Sequence, residues 1–98
     1  MFTDKQSYVY ILASKKKGAL YIGLTTHLIH RVWQHRNGVY SKYTDKYFIK
    51  RLVYYETHPD LESALIRERR LKKWNRAWKI RLIEDANPSW TDLYKSLL

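Results

Sequence analysis

Residues 8–23 read Tyr8-Val9-Tyr10-Ile11-Leu12-Ala13-Ser14-Lys15-Lys16-Lys17-Gly18-Ala19-Leu20-Tyr21-Ile22-Gly23. Two short runs of β-branched, aliphatic and aromatic residues flank a polar turn from Ser14 to Gly18, the pattern of an antiparallel hairpin. Outward from it, Thr25 or Thr26 can cap a helix from about His27 to Arg36, which Asn37-Gly38 stops. Val39 to Lys50 is polar and tyrosine-rich and reads as an ordered loop. Arg51 to Glu56 looks like a third strand. Pro59-Asp60 opens a helix to about Trp74, with Asp60 as cap and Glu62 at its positive end. Another helix covers Arg76 to Asp85, and Trp90 to Leu98 closes the chain as a short helix. The order β-β-α-β-α-α predicts an α+β fold, a small three-stranded antiparallel sheet flanked by helices.

The 98 residues suffice for one domain, 1–98, with its core at about 7–93. Nine Tyr and four Trp supply core and half-buried ring surface. With no cysteine, disulfides, thiolate chemistry and Cys-ligated zinc are excluded. The first residues lack the order of charged and apolar segments of a signal peptide, and no stretch is long enough to span a bilayer. A cytoplasmic protein is expected.

Charge carries the strongest functional signal. Nineteen Lys+Arg face nine Asp+Glu, a net +10. From Lys5 to Thr44 there is no carboxylate, and from Ser63 to Ile83 the only acid is Glu68, set among Arg67, Arg70, Lys72, Lys73 and other cations. Such a field favours a polyanion, and nucleic acid ahead of anionic lipid, because no basic helix has a bulky one-sided apolar face. Phosphate-contact candidates are Lys15, Lys16 and Lys17 at the hairpin tip with Arg67, Arg70, Lys72 and Lys73; Tyr43 is a stacking candidate.

Helical phase singles out other residues. With Leu28 as the origin at about 100° per residue, Arg31 and His35 share the inner stripe with Val32. With Leu61 as the origin of the next long helix, Glu68 falls inside the apolar stripe. A carboxylate there needs a partner or a metal. An internal Glu68–Arg31 ion pair and a catalytic role both satisfy that need. Tyr8, Tyr10 and Tyr21 place phenols in a stretch empty of acids, where cations favour phenolate. Trp74, Trp78 and Trp90 read as a small core joining the C-terminal helices.

These residues resemble the GIY-YIG nuclease superfamily. Tyr8-Val9-Tyr10 matches the first motif with tyrosine for its leading glycine, and Tyr21-Ile22-Gly23 is the second intact. Gly23-x-Thr25, Leu28, Arg31, His35 and Ala64-Leu65-Ile66-Arg67-Glu68 follow in order. Leu71 to Leu93 is similar to the small stand-alone branch. The resemblance implies a metal-dependent endonuclease hydrolysing phosphodiesters of DNA, with one Mg²⁺ or Mn²⁺ on Glu68. It implies that Tyr10 and Tyr21 line the site, one as general base, that Arg31 neutralises phosphoryl charge and that His35 orients a tyrosine or the water. Non-catalytic nucleic-acid binding and an RNA-directed nuclease are the alternatives.

Overall fold

The computed structural model describes residues 6–98; the start of the span read for a leader, and the first residues of the expected 1–98 domain, lie outside it. β1 (Ser7–Ala13) pairs antiparallel with β2 (Leu20–Thr25) and with β3 (Arg51–His58), giving the sheet order β2-β1-β3. The helices are α1 (Leu28–Arg36), α2 (Lys42–Lys46), α3 (Leu61–Lys73), α4 (Arg76–Ala86) and α5 (Tyr94–Leu97).

Alternation along the central strand splits the core in two. Val9, Ile11 and Ala13 face a cluster with Ala64 and Leu71 of α3, Ile83 of α4 and Trp90. Tyr10 and Leu12 face the opposite cluster with Leu28 and Val32 of α1, Ile49 and Leu52. Opposed side chains of this kind are what a two-faced buried strand requires. β3 carries one extra residue, Val53, where Ile11 pairs with Tyr54 and Leu12 with Leu52. Such a bulge leaves backbone groups off the ladder; Asn87 Nδ2 donates to Val53 O at 2.9 Å and satisfies one of them.

The expected loop 39–50 contains α2, capped by the Ser41 side chain accepting from Thr44 N. The apolar stripe of α3 is centred on Ala64 and Leu71 rather than on Leu61, which is 55% exposed. Trp78 corrects the mini-core reading: it is 52% exposed and packs edge-on against Trp74, whereas Trp90 is fully buried. The closing helix is shorter than expected, because Trp90 turns the chain at φ 55 before Tyr94.

Candidate active site

Register fixes the first relationship of the site. Tyr10 on β1 lies directly opposite Gly23 on β2. A Cβ at position 23 would overlap the Tyr10 phenol ring, so the glycine makes room for that ring to lie across the β2 backbone. The ring is thereby driven toward α1, where the Tyr10 hydroxyl sits 2.9 Å from His35 Nε2. His35 Nδ1 lies 2.9 Å from Thr44 Oγ1, and that hydroxyl donates to Ser41 O at 3.3 Å. The network therefore assigns the proton of neutral His35 to Nδ1 and makes Nε2 the acceptor of the Tyr10 hydroxyl proton.

Burial and the neighbouring Arg31 charge push the His35 pKa down to about 4. The same burial, with a repulsive contribution from Tyr21, holds the Tyr10 phenol well above its ordinary pKa against the pull of Arg31. Tyr10 and His35 are both wholly inaccessible to solvent. Tyr21 is half-buried, its ring centroid 6.3 Å from Tyr10 and 5.2 Å from His35.

Arg31 extends from α1 across the edge strand. Its Nη1 donates to Leu24 O at 3.3 Å, and its guanidinium lies 4.0 Å from the centroid of Tyr40. Stacking of this kind holds a guanidinium in place while leaving donors free. Tyr40 also packs edge-on against His35 at 4.8 Å. The chain returns to put it there through Gly38 at φ 70, just past the end of α1.

Glu68 approaches from α3, on the other layer. The expected Glu68–Arg31 pair does not form; Glu68 Oε2 pairs with Lys72 Nζ at 3.2 Å, one turn along the same helix. Its side chain is 14% exposed. Burial raises the Tyr21 pKa first, then Tyr40; Arg31 pulls it down and Glu68 pushes it up. A cation from one layer and an anion from the other thus act on one phenol at the open edge of the sheet.

Among the described residues, no group of three or more His, Asp or Glu side chains converges as a metal cage. A divalent ion that keeps most of its waters needs only one or two carboxylates plus substrate oxygens. Glu68, shielded but held by one exposed and displaceable lysine, fits that requirement.

Of the residues singled out in the sequence, Tyr10, Tyr21 and His35 pack together, Arg31 lies over Tyr40 beside His35, and Glu68 stands on α3 in contact with Lys72. Sequence reading missed Thr44, which no pattern marks, and left Tyr40 as one of three loop tyrosines; only its nearness to the Gly38 stop distinguishes it. Lys15, Lys16 and Lys17 are exposed, as are Arg70, Lys72 and Lys73. Arg76 Nη2 donates to Lys17 O at 2.5 Å and Gly18 O at 2.7 Å, tying the hairpin tip to the start of α4. Tyr43 is exposed on α2, tilted against Tyr47 at 5.2 Å. Arg67 departs from the phosphate-contact expectation. Its Nε donates to Glu56 Oε2 at 2.9 Å and its guanidinium lies 5.2 Å from the Trp74 ring centroid, so it ties α3 to β3.

Residues 6–81 match the family model for the GIY-YIG catalytic domain. The chain belongs to the GIY-YIG family. A UPF0213 protein of Syntrophus aciditrophicus is 39% identical over 84 residues, 85% of this chain and 94% of that one. One from Clostridium perfringens is 40% identical over 81 residues, 83% of this chain and 86% of its own. The solution NMR structure of a UPF0213 protein from Bacillus halodurans superposes with a TM-score of 0.56 at 32% identity, covering 92% of this chain and 95% of that chain. Its likeness extends the three-stranded sheet and flanking helices of this GIY-YIG chain to a solved relative. Family membership places the chain in a nuclease family and implies a nucleic-acid substrate. Among the described residues, no helix is long and apolar enough to cross a membrane.

Proposed function

We propose that this protein is an endonuclease that hydrolyses phosphodiester bonds in DNA with the help of one Mg²⁺ or Mn²⁺ held by Glu68. The observation that carries the proposal is that Arg31, held by Leu24 O and Tyr40, stands beside the tyrosine hairpin whose edge strand β2 packs against α3, the helix that carries the shielded Glu68. A pure binding surface has no use for a shielded carboxylate in a polyanion site, since it repels the ligand.

The roles divide by accessibility. Tyr21 is the general base, because it alone of the two motif tyrosines meets solvent; Tyr10, whose hydroxyl proton is given to His35, is a positioning residue. Arg31, held by Leu24 O and Tyr40, offers its remaining donors to the phosphoryl oxygens and stabilises their added charge. A divalent ion on Glu68 would supply Lewis-acid stabilisation of the departing oxygen. Neutralising Glu68 also removes one of the influences that raise the Tyr21 pKa. Exposed lysines and arginines of the hairpin tip and α3 contribute salt-dependent affinity without sequence choice.

Nicking of supercoiled plasmid in Mg²⁺ or Mn²⁺ tests this. Wild type nicks, while Glu68→Gln and Arg31→Ala each lose at least about a hundredfold in rate. Nicking that survives Glu68→Gln sinks the metal assignment. Salt-sensitive binding without any wild-type cleavage supports a binding module instead, and cleavage confined to RNA moves the substrate class.

A further inference from the structure

A cleft of about 840 Å³ lies between α1, α5, the N-terminal end of β1 and the C-terminal half of β3. Its walls include Tyr8, Tyr55, Tyr94 and Trp33, with His27 and His30 at the rim. Trp33 is 46% exposed, and the His30 imidazole lies parallel to it, within 9° at 5.8 Å. No carboxylate of the described residues lines the cleft. Tyr8 stands at the position where the first motif ordinarily has glycine, so this wall is a feature of the chain's own sequence rather than of the motif.

We propose that this cleft stacks unpaired nucleobases of the strand whose phosphate enters the site beside Arg31. The proposal rests on the endonuclease reading and narrows its substrate to DNA with a single-stranded segment at the cut. Leu28, Ile29 and Leu97 share the mainly apolar lining with the aromatic rings, and the tyrosine, histidine, Thr26 and Thr57 side chains give it a polar share. That combination suits a heterocycle with a flat face and a polar edge better than an aliphatic side chain. The charge is complementary as well, since a stacked base brings its phosphates with it and the cleft offers them no anion.

Continuity with the catalytic row fixes which strand. His27, Arg31 and His35 follow one another at intervals of four residues along α1. His27 at the cleft rim is therefore about 6 Å along the helix axis from Arg31. Two stacked nucleotides, at about 3.4 Å each, span that distance. A base in the cleft and a phosphate at Arg31 can belong to neighbouring nucleotides.

Metal-free fluorescence anisotropy separates base contacts from phosphate contacts. The probes are a labelled oligothymidylate of about twelve nucleotides and an abasic oligomer of equal length and charge. Wild type is expected to bind the base-bearing strand about tenfold more tightly than the abasic one. Trp33→Ala and Tyr8→Gly, the latter restoring the motif's own residue, each remove most of that preference while abasic binding changes less than about twofold. Thermal unfolding of both variants verifies the fold, and either alone suffices if the other is unstable. Equal wild-type affinity for the two probes overturns the proposal, as does a preference that survives both substitutions. Sedimentation that shows concentration-dependent pairing abolished by Trp33→Ala assigns the cleft to a second copy, and overturns it too. Absence of plasmid nicking by wild type, with the base preference intact, removes the endonuclease reading and not the cleft.

Discussion

The Tyr10 hydroxyl donates to His35 Nε2 at 2.9 Å, and neither residue meets solvent. A motif tyrosine is thus tied to an invisible partner rather than presented to substrate. Tyr10→Phe keeps the ring but leaves a buried imidazole nitrogen without a donor, which costs about 1–3 kcal/mol. Urea unfolding at neutral pH measures it. A loss below about 0.5 kcal/mol contradicts the assigned direction of the bond.

Gly23→Ala drives a methyl group into the Tyr10 ring. Overpacking of this sort costs about 1–3 kcal/mol. Combining it with Tyr10→Leu, which removes the ring, is expected to recover most of the loss. A double-mutant cycle with no coupling between the two positions rules out the close approach as the reason for the glycine.

His35 makes the fold sensitive to mild acid. Its folded pKa of about 4 lies below the ordinary value of about 6.5, so the unfolded chain binds the proton more readily. Stability therefore declines as pH falls from about 6.5 toward 4, by at most about 3 kcal/mol, and this contribution levels off below. Histidine ring NMR is the direct check. The His35 signals stay those of the Nδ1–H form above pH of about 5, and titration near 6.5 refutes the buried network.

Glu56 joins β3 to α3 by accepting from Tyr54 at 2.6 Å, His58 at 2.6 Å and Arg67 at 2.9 Å. Burial pushes its pKa up, but these donors outweigh it and the net shift is downward. Burial together with Glu56 moves the Tyr54 phenol the other way, to about 12. Glu56→Gln is expected to lose about 1–3 kcal/mol at neutral pH. Because the folded pKa is depressed, the wild-type advantage exists above the ordinary carboxylate value and disappears as pH falls through the folded one. Parallel pH–stability curves for wild type and variant exclude an ionised Glu56 as the centre of this cluster.

Lys72 competes for the carboxylate that the proposed mechanism gives to a metal. Lys72→Gln should lower the Mn²⁺ concentration for half-maximal nicking by several-fold, with the largest effect at low salt. A requirement for more Mn²⁺ in the variant instead assigns Lys72 to the phosphate.

The hairpin and the third strand were legible because each rests on a local rule. Strand alternation put Tyr10 and helical spacing put Arg31 and His35 on inward faces. What the sequence hid depended on distance between elements. Glu68 met Lys72 and not Arg31, because the two helices cover opposite faces of the sheet. Arg67, in the middle of a basic run, was claimed by Glu56, a pairing that no local pattern exposes. Trp78 carries the composition of a core residue, yet it lies half-exposed on α4, edge-on against Trp74.

The Arg76 bonds to Lys17 O and Gly18 O join two cationic segments almost sixty residues apart. They hold Lys17 in a left-handed conformation, φ 58, that a free loop seldom keeps. A basic surface built this way has lost its loop entropy on folding, before any polyanion arrives. A polyanion that docked there would find the cations already placed and would order little more of the protein.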